Sequence, residues 1–280
     1  MINKIIIFLK VIFLLTINVY PNSDEQGYDF RNDSVFIKVI SSIHLPLGLP
    51  YDSTPHDDYI IYRTQYITSY NKLKNAVNWT AWNLNSSWFG NSGRYQGRFI
   101  ADTSLPEDFL RINHNDYTNS GYDRGHVVRS HERSSSTDDN KSTFLMTNII
   151  PQTPDLNRGV WLDFERYCEE LALKHNKELF IYSGAVYSDS VQIGKGITVP
   201  DSCFKIVVVL ERGEGIDCVN YDTIIISVMM PNINGIRNKK WEDFLVSVRH
   251  IEKSSGYNFL SDIEFTIQEV IEQIVYKHVE

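Results

Sequence analysis

Cysteine is scarce in this sequence: Cys168, Cys203 and Cys218 are the only three in 280 residues. Three thiols cannot build a disulfide framework, and at most one pair can close. Cys203 opens an expected strand and Cys218 follows the turn at Gly213 to Gly215. In a hairpin centred on that turn, residue 203 faces a position near residue 225, so a Cys203–Cys218 bridge would need a loop excursion. No C-x-x-C pair occurs, which removes the usual thiolate zinc sites. Long apolar runs are also missing: beyond the first twenty residues nothing is apolar enough to span a bilayer. Nor is there a basic surplus. The 27 Lys and Arg stand against 35 Asp and Glu, a formal charge of −8. That argues against a generic nucleic-acid binder, whose affinity comes mainly from Lys and Arg. Internal repeats and long linkers are absent too, so a single domain is expected after the N-terminal segment.

What is present fits a globular protein. The chain is 42% hydrophobic and 22% charged, and it is long enough for one large α/β domain with a real core. Residues 1–20 read as a signal peptide. A short start through Lys4 leads into an apolar run from Ile5 to Ile17, broken only by Lys10 and ended by Asn18 and Pro21. The alternative for this stretch is an uncleaved leader or a membrane anchor. The first reading implies a secreted or periplasmic protein with no stable membrane association after leader removal. Residues 21–34 are polar and expected to be disordered, leaving 35–280 as the single folded domain.

Within that domain, residues 35–41 and 59–69 are rich in β-branched and aromatic side chains and read as strands, as do 78–84, 179–184, 203–210 and 222–230. The last two are nearly continuous apolar runs, which predicts central strands covered on both faces. Residues 100–122 look irregular. A helix is expected over 157–174, with Val160, Trp161, Phe164, Cys168 and Leu171 on one face and Asp163, Arg166 and Glu170 opposite. Two further helices are expected at 241–251 and 262–275.

Eight of the thirteen arginines (94, 98, 111, 124, 129, 133, 158 and 166) fall between 94 and 166, with only one of the fourteen lysines. This stretch favours the bidentate, phosphate-matching cation, although chance and surface ion pairs give the same count. Asp123-Arg124-Gly125-His126 lies inside it. His126 can carry or accept a proton near neutral pH, and Gly125 allows a sharp backbone turn beside it. A lone histidine near a glycine is more often structural. Asn157 stands near a helix start, where asparagine is a good N-cap. On a continuous helix, however, Asn157 and Glu165 lie within about 80° of each other. An amide oxygen and a carboxylate so placed suit a hydrated Mg²⁺, which takes few protein ligands.

Taken together, Tyr122-Asp-Arg-Gly-His126, Thr143-Phe-Leu-Met-Thr-Asn148-Ile-Ile-Pro-Gln152, Leu156-Asn157-Arg-Gly-Val-Trp161 and Phe164-Glu165 resemble the DNA/RNA non-specific endonucleases of the ββα-metal class. Ser69-Tyr-Asn71, Asn78-Trp-Thr-Ala-Trp82, Leu105-Pro106 and Ser255-Gly-Tyr-Asn-Phe-Leu-Ser261 extend the resemblance over roughly 43–262. The nearest pattern is that of secreted bacterial nucleases indifferent to the sugar. The resemblance implies an α+β fold: a central, mostly antiparallel β-sheet flanked by helices, with a ββα-metal active-site motif. It implies DNA and RNA as substrates, Mg²⁺ as cofactor with Mn²⁺ as a substitute, and a protein inhibitor as a further candidate partner. By the same resemblance, His126 is the general base and Asn157 the one direct protein ligand of the ion. Glu165 orients waters of the ion's shell, and Asn148 helps fix the histidine. Arg94, with Arg98 as its rival, neutralises charge at phosphorus. Asp123 and Arg124 shape the site.

The chain departs from the family pattern in two places. After His126 a proline and a small residue are usual, whereas Val127-Val-Arg129-Ser-His131-Glu132 stands here. Arg129 and His131 are thus extra polar groups near the site. Position 169, where relatives often carry arginine, is Glu169, leaving Arg166 to compensate or the role unfilled. Two competing readings are weaker. A zinc hydrolase using His126 and His131 fails the H-E-x-x-H pattern. An inactive nucleic-acid-binding or toxin-neutralising module would be expected to have lost His126, Asn157 or Glu165, and all three are present.

Overall fold

The computed structural model describes residues 33–188 and 191–278. The leader and the polar stretch up to residue 32 lie outside the described residues. Residues 34–280 form one compact unit.

The first element corrects the sequence reading. Residues 35–41 are not a strand but part of helix α1, Ser34–His44. Phe36, Ile40 and His44 recur four residues apart and are its buried face, while Val35 is 68% exposed. Burial of that stripe against the sheet outweighs the β-propensity of the Val and Ile residues. His44 is neutral and fully enclosed. Its Nδ1 accepts the Asn83 amide at 3.1 Å, and its Nε2 donates to the Thr64 carbonyl at 2.9 Å. Burial, reinforced by the Arg133 guanidinium, drives its pKa down to about 3.

The expected strand over 59–69 is two strands, β1 (Tyr59–Tyr62) and β2 (Ile67–Asn71), folded back at a turn closed by Arg63 N–H to the Tyr66 carbonyl. With β3 (Ala76–Leu84), β6 (Lys177–Val186), β9 (Ser202–Glu211) and β10 (Ile224–Pro231) they build one six-stranded sheet, ordered β1-β2-β3-β6-β9-β10. Every pairing in it is antiparallel. Two short pairs stand apart: β4 (Asp123–His126) with β5 (Ile149–Gln152), and β7 (Gln192–Ile193) with β8 (Ile197–Thr198). The architecture is α+β, as expected.

β10 lies at the end of the sheet rather than in its middle. Its apolar run reflects cover from elsewhere: Leu245 bridges to Val228, and Val246 N–H bonds the Ser227 carbonyl at 2.9 Å. That extended piece interrupts the expected helix over 241–251. A 3₁₀ turn at Trp241–Phe244 precedes it, and α4 (Val248–Ser255) follows, capped by the Ser247 hydroxyl. The last helix, α5, is limited to Phe265–Ile271. All three cysteines are free, so the loop-mediated Cys203–Cys218 bridge does not form. Cys203 pairs across the ladder with Met230 and Ala185.

Strand alternation divides the core in two. On one side Phe180, Tyr182, Phe204, Ile206 and Val208 pack with Phe36 and Ile40 of α1 and Val248 and Ile251 of α4. On the other, Leu179, Ile181, Cys203 and Val207 pack with Val127, Val128, Ile150, Trp161 and Phe164. The second face carries the candidate site. By the same alternation it receives the one lysine of β9, Lys205.

Candidate active site

β4, β5 and the helix after them form a ββα unit. The strands pair Asp123 with Gln152, Arg124 with Pro151, Gly125 with Ile150 and His126 with Ile149. Val127 N–H to the Asn148 carbonyl, at 2.9 Å, extends the ladder by one bond. After the short helix α2, Thr137–Ser142, and β5, the chain enters a π turn, Leu156–Val160, and then helix α3, Trp161–Leu173. Gly125 does not turn the chain, contrary to the sequence reading. It lies within β4, where an added Cβ would fall 2.1 Å from the Gln152 Oε1. Gln152 is fully buried, so the strand needs glycine for close approach.

His126 ends β4 with its ring against both Phe99 and Phe144, at centroid distances of 5.3 and 5.0 Å. Its Nε2 is sealed from solvent and has no protein partner. Burial, and then the Arg94 charge, push its pKa down to about 3, so the ring is a neutral proton acceptor across the physiological range. Arg94 packs its guanidinium 4.8 Å over the same Phe144 ring and donates to Ser130 Oγ. Arg98 is felt instead at His114, whose pKa burial, Arg124 and Arg98 together lower. Asn148 is wholly buried and bonds no ring. Its Oδ1 accepts Val128 N–H at 2.9 Å, and its Nδ2 donates to the carbonyls of Val128 and Thr143. It therefore pins the backbone immediately after His126.

Asn157 is not an N-cap. Its own N–H already bonds the Thr153 carbonyl at 2.9 Å, inside the π turn. Its side-chain Nδ2 donates to Asp123 Oδ2 at 2.9 Å. Asp123 also receives the Arg158 Nε at 2.6 Å, and these donors hold its carboxyl below the usual range despite burial. With Nδ2 tied back, Asn157 Oδ1 accepts from no protein donor among the described residues. A neutral oxygen fixed in this way suits a hard divalent cation. Arg124 donates to the His114 carbonyl through Nε and Nη2, at 3.1 and 2.6 Å. It lines an open groove of about 490 Å³ with His114, Tyr117, Asp123 and Arg158.

Glu165 is 5% exposed on α3. Its Oε1 lies 3.8 Å from Lys205 Nζ and its Oε2 3.7 Å from Arg129 Nε. Burial raises its pKa to about 7, against the pull of Lys205 and Arg129 and with a push from Glu132. Lys205, fully enclosed, stacks its ammonium 4.8 Å over Trp161 and 5.3 Å over Trp82. Glu132 is equally buried and accepts the Trp82 indole at 3.0 Å. Sequence reasoning missed Lys205, Glu132, Phe99 and Phe144. The visible signal for Lys205 was a single charge inside an otherwise apolar strand. His131 is 54% exposed, bonds Glu169 and rests on Phe89, and among the described residues no metal-holding cluster joins it to His126. Among the described residues the one carboxylate-rich trio, Asp52, Asp57 and Asp58, includes none of these groups.

A histidine and an oriented amide oxygen on a ββα unit, with an arginine over the ring that flanks the histidine, are the kinds of group that phosphodiester cleavage calls for. The chain belongs to the DNA/RNA non-specific endonuclease family, a family of metal-dependent nucleases whose model matches residues 49–265. It is 44% identical over 239 residues to a protein named Nuclease from Nostoc sp., spanning 84% of this chain and 86% of that one. Identity to mitochondrial Endonuclease G of Homo sapiens is 26% over 214 residues, spanning 72% and 69% of the two chains. Among solved structures, a crystal structure of the EndoG/EndoGI complex matches with a TM-score of 0.68 and 25% identity, over 81% of this chain and 93% of that one.

Proposed function

We propose that the protein is an exported, magnesium-dependent endonuclease that cuts DNA and RNA internally with little sequence or sugar preference. The observation that carries this reading is the Asp123–Asn157 hydrogen bond, which ties Asn157 to the ladder that positions His126 and leaves its amide oxygen free. Asn157 Oδ1 would hold the Mg²⁺, and Glu165 would order water around it. Once bound, the ion supplies positive charge to the phosphoryl oxygens and the departing 3′-oxygen. His126 takes the proton of a water attacking phosphorus in line. Its depressed pKa keeps the ring unprotonated, and the Phe99–Phe144 pocket fixes its angle. Arg94, which meets no carboxylate among the described residues, binds the non-bridging oxygens as charge accumulates there.

None of these groups needs or excludes a 2′-hydroxyl, the atom by which a protein tells RNA from DNA. Substrate affinity from phosphate contacts alone falls as salt rises. The net charge of −8 brings that fall to modest ionic strength. The EndoG structure is a complex with EndoGI, and a protein inhibitor is a corresponding candidate partner here. The test is digestion of plasmid, single-stranded DNA and RNA by the mature chain, with Mg²⁺ or EDTA. The expected result is internal cutting of all three with Mg²⁺ and none with EDTA. A kcat/KM ratio between matched DNA and RNA duplexes beyond about a hundredfold, or ~2.7 kcal/mol, would defeat the claim of sugar indifference. Export is tested by N-terminal sequencing of the protein recovered outside the cytoplasm; an intact leader on cytoplasmic protein alone refutes it.

A further inference from the structure

Two arginines are brought to one short stretch of chain, Arg129-Ser130. Arg94 donates to the Ser130 hydroxyl, and Arg129 precedes Ser130 in the chain. The two charges feel each other: after burial, Arg129 is what holds the Arg94 pKa below the usual arginine value. Arg129 is anchored from one side only. Its Nη1 donates to Glu169 Oε2 at 2.6 Å, and its Nε lies 3.7 Å from Glu165 Oε2. Nη2 has no protein acceptor among the described residues and is not sealed from solvent, and the side chain is 20% exposed. Neighbouring like charges of this kind are stabilised by an anion that both can reach, and the planar fork of arginine matches phosphate oxygens.

We propose that Arg129 is a second phosphate-binding residue, acting beside Arg94 on the bound strand, with Glu169 as the positioning residue that holds it. This rests on the nuclease reading above. Glu169 lies one helical turn beyond Glu165 on α3, so both carboxylates grip the same guanidinium. Arg166 does not serve in this way. It is 63% exposed and pairs with Asp163 at 3.3 Å, on the solvent side of α3. The two departures at 129 and 169 are therefore the two halves of one ion pair, and together they deliver a cation from the loop after β4.

A purely structural ion pair and a phosphate contact differ in their salt dependence. Binding of a labelled DNA duplex is measured in the His126→Ala background with Mg²⁺, across a range of salt concentrations. Arg129→Gln should reduce the slope of log Kd against log salt by about 1. Glu169→Gln keeps the Arg129 charge but frees its guanidinium, so it should reduce the slope in the same direction by less than Arg129→Gln does, and no change at all would remove Glu169 from the positioning role. A slope equal to that of the parent in a folded Arg129→Gln protein overturns the proposal. The second variant, Arg129→Lys with His126 intact, keeps the charge but loses the fork. It should raise KM for cleavage roughly tenfold, as for one lost charge-assisted hydrogen bond, with kcat nearly unchanged. A parent-like KM also overturns the proposal. If the His126→Ala parent itself shows no salt-dependent DNA binding, the nuclease reading fails first, which separates the two failures.

Discussion

Removing the Asp123 carboxylate should loosen the metal ligand without deleting it. Asp123 Oδ2 accepts the Asn157 Nδ2 at 2.9 Å and so decides which end of the amide faces the site. A hydrogen bond to an ionised acceptor contributes ~1.5–3 kcal/mol. In Asp123→Ala the amide is free to rotate, and binding an ion through Oδ1 must restore its orientation. Much of that energy is then subtracted from metal binding, an affinity loss of about 10–100-fold, the range typical of groups that orient a ligand. The fold should suffer less. The other partner, Arg158, is 61% exposed, and such an ion pair contributes ~0–1 kcal/mol. The assay is initial cleavage rate against free Mg²⁺. Half-saturation should move up by about 10–100-fold while the saturating rate stays within a few-fold of the parent. Asp123→Ala combined with Asn157→Ala should be no worse than Asn157→Ala alone, because the carboxylate acts through the amide. Unchanged metal dependence, or additive losses in the double variant, would refute the orientation argument.

Three further outcomes follow from the site. His126→Ala should lose ~10²–10⁴-fold in cleavage with its metal affinity intact, and activity within tenfold of the parent would sink the base assignment. Lys205→Met removes the strongest group opposing the rise in the Glu165 pKa, so the acid limb of the pH–rate profile should move to higher pH; an unmoved limb would show that Glu165 need not be ionised. Metal-free stability should decline with acid in two stages. His44 and His126, held near 3, leave the unfolded chain binding extra protons below 6.5, and each removes up to ~1.4 kcal/mol per pH unit. Glu165, raised from 4.5 to about 7, works the other way between those values, because the folded chain takes its proton first. The decline should therefore be shallow down to about pH 4.5 and steep below it, and urea melts showing one uniform slope from pH 6.5 to 3.5 would contradict this.

The candidate site residues stand out in the sequence more plainly than the secondary structure around them. His126, Asn157 and Glu165 stand in short ordered motifs whose spacing survives any error in strand boundaries. α1 was misread because Val35, Ile37, Val39 and Ile40 carry β-propensity, whereas its true signal, Phe36-Ile40-His44 at helical spacing, runs through a histidine that periodicity does not count as apolar. β10 was misplaced because cover by Leu245 and Val246 makes an end strand look central. The Arg129–Glu169 pair was invisible for another reason. Each member alone reads as a departure, and only the fold brings a loop residue onto the third turn of α3.

The β4–β5 ladder gives the proposed base and the proposed ligand a common datum, in the sense a machinist uses the word. His126 is referenced to Ile149 across one rung, and the strand holding Ile149 runs on directly into the turn bearing Asn157. Misplacement elsewhere in the sheet shifts both parts together and does not accumulate between them. The excursion from Val127 to Asn148 lies outside that measuring path and is fastened back to it at the Asn148 side chain. It can change length or facing residues while the base-to-ligand spacing stays set. Arg129 and Ser130 enter there, where the chain is free to vary its grip on a substrate without disturbing the bond-breaking parts.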